Sequence, residues 1–176
     1  MEELVKQMQD FFAFKLSESE CNAFAHQIAL NVIPHVDVPQ PNGFTKEEIK
    51  MINETRKILH KDIEVAATCV RVPVLRSHSE SITVTFEDGV DVDIEKVREA
   101  FENFENLVVQ DDIENNIYPM PKNATDTDFT YVGRIRKDLF RDNILHFWNV
   151  ADQIRVGAAT NSLRIAQKWI EMVEDN

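Results

Sequence analysis

The residues from Thr68 to Glu80, Thr-Cys-Val-Arg-Val-Pro-Val-Leu-Arg-Ser-His-Ser-Glu, gather one thiol, two guanidiniums and one imidazole in thirteen positions. Arg71 stands at the end of a β-rich run that Pro73 stops, which suits a planar, bidentate grip on a carboxylate. His78, past the proline, could exchange protons near neutral pH. On spacing alone the ordinary reading, a basic edge strand with a solvated histidine, stands beside the functional one. Cys69 invites a Cys–His nucleophile, but between apolar neighbours in mid-strand it reads better as a structural cysteine. Glu47 and Lys50 sit at i, i+3, where a local ion pair on a solvated face is the ordinary account. The functional one is a carboxylate and an ammonium aimed at a zwitterionic ligand. Arg134 and Arg136, in Gly133-Arg-Ile-Arg-Lys-Asp138, fall on one side of a strand and read as a salt-bridged strand.

These groups need a scaffold, and the hydrophobic spacing supplies one. Leu4, Met8, Phe11 and Phe12 predict a helix over 2 to about 15, with no cap residue ahead of it, so a preceding segment is expected elsewhere. Residues 28–36 are apolar and short enough for a strand, at an edge or near its end because of Pro34. Thr45 and Glu48 form a capping box for a helix of about four turns. Alternation over 63–71 and 81–87 predicts two strands, the second closing at Asp88-Gly89. A helix carrying Ile94, Val97, Phe101 and Phe104 follows, then a short strand at 107–109 and a polar loop at 118–128. Strands at 129–136 and 144–150 lead to a long C-terminal helix with Ala159, Leu163, Ala166, Ile170 and Val173 on one face. Trp148 and Trp169 read as core or interface, and His146 as an ordinary polar contact. Strands and helices without strict βα alternation imply an α+β domain: a mixed, largely antiparallel sheet with helices packed on it.

Composition narrows the functions. The chain has 176 residues, 43% hydrophobic and 28% charged, the size of one domain with a full core. Nineteen Lys and Arg against 31 Asp and Glu give a net charge of -12, which opposes binding to nucleic acid or an anionic membrane surface. An anionic substrate would require the few cations to be gathered in one place. Only four glycines, at 43, 89, 133 and 157, leave no Gly-rich phosphate loop. The five histidines and two cysteines show no metal-ligand spacing, so no metal is expected. With no apolar run near ~20 residues and acids where a leader would carry its basic residues, the chain reads as cytoplasmic.

Six segments carry a resemblance that composition does not. They are Gln27-Ile-Ala-Leu-Asn-Val-Ile-Pro-His35, Lys46-Glu-Glu-Ile-Lys-Met-Ile-Asn-Glu-Thr-Arg-Lys57, Ala67 to Glu80, Tyr118-Pro-Met-Pro121, Val132-Gly-Arg-Ile-Arg-Lys-Asp138 and Gly157-Ala-Ala-Thr-Asn161. In this order they resemble the C-terminal half of the bacterial aspartate-semialdehyde dehydrogenases. The resemblance implies a fold like the C-terminal domain of the glyceraldehyde-3-phosphate dehydrogenase type. It also implies an enzyme that reduces aspartyl phosphate to aspartate semialdehyde and phosphate with NADPH, toward lysine, methionine and threonine. By the same resemblance His78 is the acid/base, Arg71 grips the substrate carboxylate, Glu47 meets the amine, Lys50 holds phosphate and Asn161 lies near the cofactor. Ser77 stands where members often have Gly.

The family's Gly-rich nucleotide-binding domain and nucleophilic Cys would precede residue 1, and neither Cys21 nor Cys69 falls at the nucleophile's position. The expectation is therefore a single substrate-binding and dimerisation domain over 1–176, inactive alone, with NADP bound mainly by the absent domain. Residues 156–176 would form a helix packing against that domain. The expected partners are the small-molecule substrate and a second or further copy of the chain, as a homodimer or homotetramer. The rival readings are an N-acetyl-glutamyl-phosphate reductase relative, against which free-amine recognition by Glu47 speaks, and a non-catalytic dimerising homologue.

Overall fold

The computed structural model describes residues 1–174. Contacts divide the chain into two compact units, the first from Met1 to Leu75 and the second from Arg76 onward.

In the first unit, α1 (Glu2–Phe12) buries Leu4 against Ile28, Ala29 and Ile33, with Met8, Leu16 and Phe24 packed around them. Gln7 on the same helix face is fully buried, and its Oε1 accepts the backbone N–H groups of Ile28 (2.9 Å) and Ala29 (3.1 Å). This bond explains a departure from the sequence expectation: residues 28–36 form no strand. A side chain occupies the donors that a neighbouring strand would use, Leu30 turns the backbone at φ +59, and Pro34 offers no donor. Residues 63–71 form no strand either. Their alternation is real, with Val65, Ala67 and Cys69 half-buried between exposed neighbours. Arg71 pairs with Ile33 through two 2.9 Å bonds as an isolated bridge. Thr45 and Glu48 form the full capping box of α2 (Lys46–Leu59), which ends at His60 in the left-handed conformation.

The second unit is a four-stranded sheet with helices against it. Its strands are β1 (His78–Thr85), β2 (Leu107–Val109), β3 (Thr130–Lys137) and β4 (Ile144–Ala151), in the order β1-β4-β3-β2. The β1/β4 and β3/β4 pairs are antiparallel and β2/β3 is parallel, so the sheet is mixed and largely antiparallel. β1 begins three residues before its sequence pattern does, carrying His78 into the ladder. Between β1 and β2 lies α3 (Ile94–Glu102), capped by Asp93. Its Ile94, Val97 and Phe101 pack on Val132, Ile135 and Leu145, and Phe101 meets Phe147 edge to face at 5.3 Å.

The polar loop before β3 contains one helical turn, α4 (Pro121–Ala124). After β4 a π-helical turn (Arg155–Ala159) feeds α5 (Thr160–Glu174), on which Leu163, Trp169, Ile170 and Val173 are all exposed. No helix among the described residues is long and apolar enough to cross a membrane.

Candidate active site

Glu47 and Lys50 project from the first turn of α2 and touch each other, Lys50 Nζ to Glu47 Oε1, at 3.4 Å. Both side chains are open to solvent, so this long i, i+3 pair adds little by itself. The residue between them matters more. Glu48 is buried and its carboxylate accepts two backbone donors, the Thr45 N–H and the Cys69 N–H, each at 2.8 Å, while the Glu48 N–H donates to Thr45 Oγ1 and closes the capping box. The backbone bonds from Thr45 and Cys69 hold the Glu48 carboxyl below its ordinary range. One side chain thus caps the helix bearing Glu47 and Lys50 and fastens it to the segment that ends in Arg71. The sequence shows Glu48 only as half of a capping box; nothing in it signals the second bond.

Arg71 is pinned by its backbone to Ile33, and its guanidinium carbon lies 5.5 Å from the centre of the Phe24 ring. It makes no ion pair among the described residues and is exposed. Cys69 is half-buried with its Sγ 3.4 Å from Met51 Sδ.

In the second unit His78 is exposed at the start of β1, opposite Ala151. What fixes it lies just before. Ser77 is buried and holds φ +77, a region that favours glycine. The Ser77 N–H donates to Gln153 Oε1 at 2.8 Å, and its Oγ lies 2.9 Å from Thr125 Oγ1. Next to it Arg76 bonds Asp126 at 2.8 Å and Asp152 at 2.7 Å. Asp152 is fully buried and also accepts the N–H groups of Asp126, Ile154 and Arg155. Burial pushes its carboxyl up, but the bonds from Asp126, Arg76, Ile154 and Arg155 outweigh this and hold it at about 2. Asp152 and Gln153 escaped sequence reading because an Asp-Gln pair after a strand has no distinguishing spacing.

Asn161 is exposed in the first turn of α5. That turn is seated by Asp128, which takes a bidentate pair from Arg155 at 2.9 and 2.7 Å and the Thr160 hydroxyl. These bonds, Arg155 first, bring Asp128 down to about 2. A Cβ at Gly157 would meet only Gln153 Cβ, at 3.7 Å, so its own chain leaves that backbone open. Among the described residues no cluster of three or more His, Cys, Asp or Glu could hold a metal.

Arg134 and Arg136 depart from expectation. Neither forms an ion pair among the described residues; the strand is bulged between Gly133 and Arg136, and Arg134 sits at φ +56. Asp111 holds the bulge by accepting the Arg134 N–H at 2.6 Å, the Ile135 N–H at 3.3 Å and Arg98 Nη2 at 2.7 Å.

The mixed four-stranded sheet with helices against it is a fold shared with solved aspartate semialdehyde dehydrogenases. Residues 1–156 match the family model described as semialdehyde dehydrogenase, dimerisation domain, and the chain belongs to that family. It is 59% identical over 172 residues to the aspartate-semialdehyde dehydrogenase of Campylobacter jejuni, covering 98% of this chain and 50% of that protein. Against the enzyme of that name from Helicobacter pylori it is 51% identical over 152 residues, 86% of this chain and 43% of the relative. The crystal structure of aspartate semialdehyde dehydrogenase II from Vibrio cholerae complexed with ASA superposes with a TM-score of 0.89 at 35% identity, over 97% of this chain and 49% of that one. The chain spans about half the length of the relatives it matches.

Proposed function

We propose that this chain is the substrate-binding and dimerisation half of an NADP-dependent aspartate-semialdehyde dehydrogenase of the cytoplasm. The whole enzyme reduces 4-phospho-L-aspartate to L-aspartate 4-semialdehyde and phosphate, serving lysine, methionine and threonine synthesis. The observation that carries the reading is the 59% identity to the Campylobacter jejuni enzyme across 98% of the chain.

The residues have the chemistry the reaction requires. Arg71, with a solvent-facing fork and no competing carboxylate among the described residues, grips the substrate carboxylate bidentately. Glu47 accepts from the substrate amine and Lys50 attracts the phosphate, each released from a weak mutual pair. His78 gives and takes the proton on the carbonyl oxygen as it becomes a hydroxyl. Asn161 would lie near the nicotinamide cofactor, which when bound would supply the hydride. The nucleophilic thiol and most of the cofactor contacts come from a domain outside this chain, and residues 156–176 pack against that domain, of which 175 and 176 lie outside the described residues.

The test is the reverse reaction of the full-length enzyme: phosphate-dependent NADP reduction with aspartate semialdehyde, run beside N-acetylglutamate semialdehyde. Turnover with the first and none with the second is the expected result. The opposite preference would establish the reductase relative instead, and silence with both would leave the non-catalytic homologue.

A further inference from the structure

His78 stands in the ladder opposite Ala151, but among the described residues its imidazole takes no hydrogen bond. No side chain orients the ring directly, so its direction is set by the backbone that delivers it. The β1/β4 ladder ends at that pair. Beyond it Asp152 turns away into the π-helical turn, where its carbonyl accepts the Gly157 N–H at 3.2 Å and its carboxylate accepts the Ile154 and Arg155 N–H groups. Gln153 takes over from the ladder. Its Oε1 accepts the Ser77 N–H at 2.8 Å, so a side chain holds the residue immediately before His78 where backbone pairing has stopped.

That residue needs holding, because φ +77 is disfavoured for an L side chain, and relaxing it would swing His78 away from its present direction. A second tie comes from the serine hydroxyl. Thr125 gives its one hydroxyl proton to the Pro121 carbonyl at 2.8 Å, so across the 2.9 Å between Ser77 Oγ and Thr125 Oγ1 the serine is the donor. We infer that Gln153 is a positioning residue for proton transfer at His78: it holds the Ser77 N–H, and through that residue the direction from which the imidazole meets the substrate carbonyl. The inference rests on the acid/base role proposed for His78 and deepens it. Gln153 is half-buried, and among the described residues the bond to Ser77 is the only hydrogen bond of its side chain, so its removal acts at this turn.

Steady-state kinetics of the full-length enzyme tests this with two variants of similar size. Gln153→Met keeps the length of the side chain and removes the oxygen, whereas Gln153→Glu keeps an acceptor. The first should lower kcat at least ~10-fold with KM for aspartate semialdehyde within about three-fold, and the second should restore most of the loss. In a His78→Asn background Gln153→Met should bring no further loss, because a residue that acts through His78 has nothing left to position. A merely structural glutamine would lower kcat by the same factor in both backgrounds. If Gln153→Met does not fold, Gln153→Asn, whose oxygen is drawn back by one methylene, completes the same cycle. Native kcat without the acceptor, or equal losses with and without His78, overturns the inference and leaves the acid/base role standing. An unchanged kcat in His78→Asn itself overturns that role and the inference with it.

Discussion

The Glu48 carboxylate accepts the backbone N–H of Cys69 at 2.8 Å, which makes a helix cap into a clamp between two stretches carrying candidate substrate ligands. Each Glu48 oxygen takes a different N–H, so Glu48→Gln keeps one acceptor and sets its amide NH2 against the other N–H, and Glu48→Ala leaves both without an acceptor. Thermal unfolding should therefore show a lowered midpoint for both variants. In the full-length enzyme Glu48→Gln should raise KM for aspartate semialdehyde more than it lowers kcat. Native midpoints for both variants would show that the clamp contributes nothing.

Replacing Arg71 by Lys preserves the charge and removes the planar fork. A charge-assisted bond lost from a desolvated pair is worth about 1.5–3 kcal/mol, so kcat/KM for aspartate semialdehyde should fall at least ~10-fold. The KM for phosphate, assigned to Lys50, should hardly move. Steady-state kinetics with each substrate varied in turn separates the two.

His78→Asn removes proton transfer while the turn at Ser77 stays in place. General acid–base groups contribute roughly 10²–10⁴-fold, and kcat should drop by about that factor with KM within a few-fold. An unchanged kcat would identify His78 as a solvated strand-end residue and nothing more.

Two glycines make a paired test of packing. Gly133→Ala sets a Cβ against the Gln110 carbonyl and the Pro119 ring and should cost about 1–3 kcal/mol or more, read from denaturant midpoints. Gly157→Ala meets only a distant Cβ within a helical turn and should be neutral or stabilising by about 0.4–1 kcal/mol.

Asp152 is held at about 2, below its ordinary value near 3.8, and so binds fewer protons folded than unfolded. The stability it adds is complete above about pH 4 and fades as pH falls toward about 2. Asp152→Asn should lower stability at neutral pH and reduce proton uptake on unfolding in that window by close to one. The slope of urea-unfolding free energy against pH measures this. An unaltered slope would mean that the carboxyl is protonated without consequence.

Where local chemistry and structure agree, the sequence was readable. The Thr45–Glu48 box and the alternation of β3 specify their elements by contacts within a few residues. Residues 28–36 and 63–71 were misread because propensity names an extended chain but not its partner. Gln7, some twenty positions away, takes the donors of Ile28 and Ala29. Likewise the alternation at Arg134 and Arg136 suggested a regular strand, and Asp111 converts it into a bulge from outside the segment. The chemical types and positions of Arg71, His78, Glu47 and Lys50 were legible; the supports behind them, Glu48 to Cys69 and Asp152 to Arg76, are long-range bonds with no local signature.

The strand order also has a consequence in time. β1 pairs with β4, whose residues follow about 60 positions later in the chain. At roughly 5–20 residues per second of synthesis, β1 leaves the ribosome several seconds before its partner exists. During that interval Ile82 and Val84 stand uncovered within a run of serines and threonines. Glu80, which in the finished sheet accepts the Asn149 side chain, places a charge beside them that disfavours pairing with another nascent β1. The same carboxylate would guard the unfinished chain and then be consumed as a strap when β4 arrives.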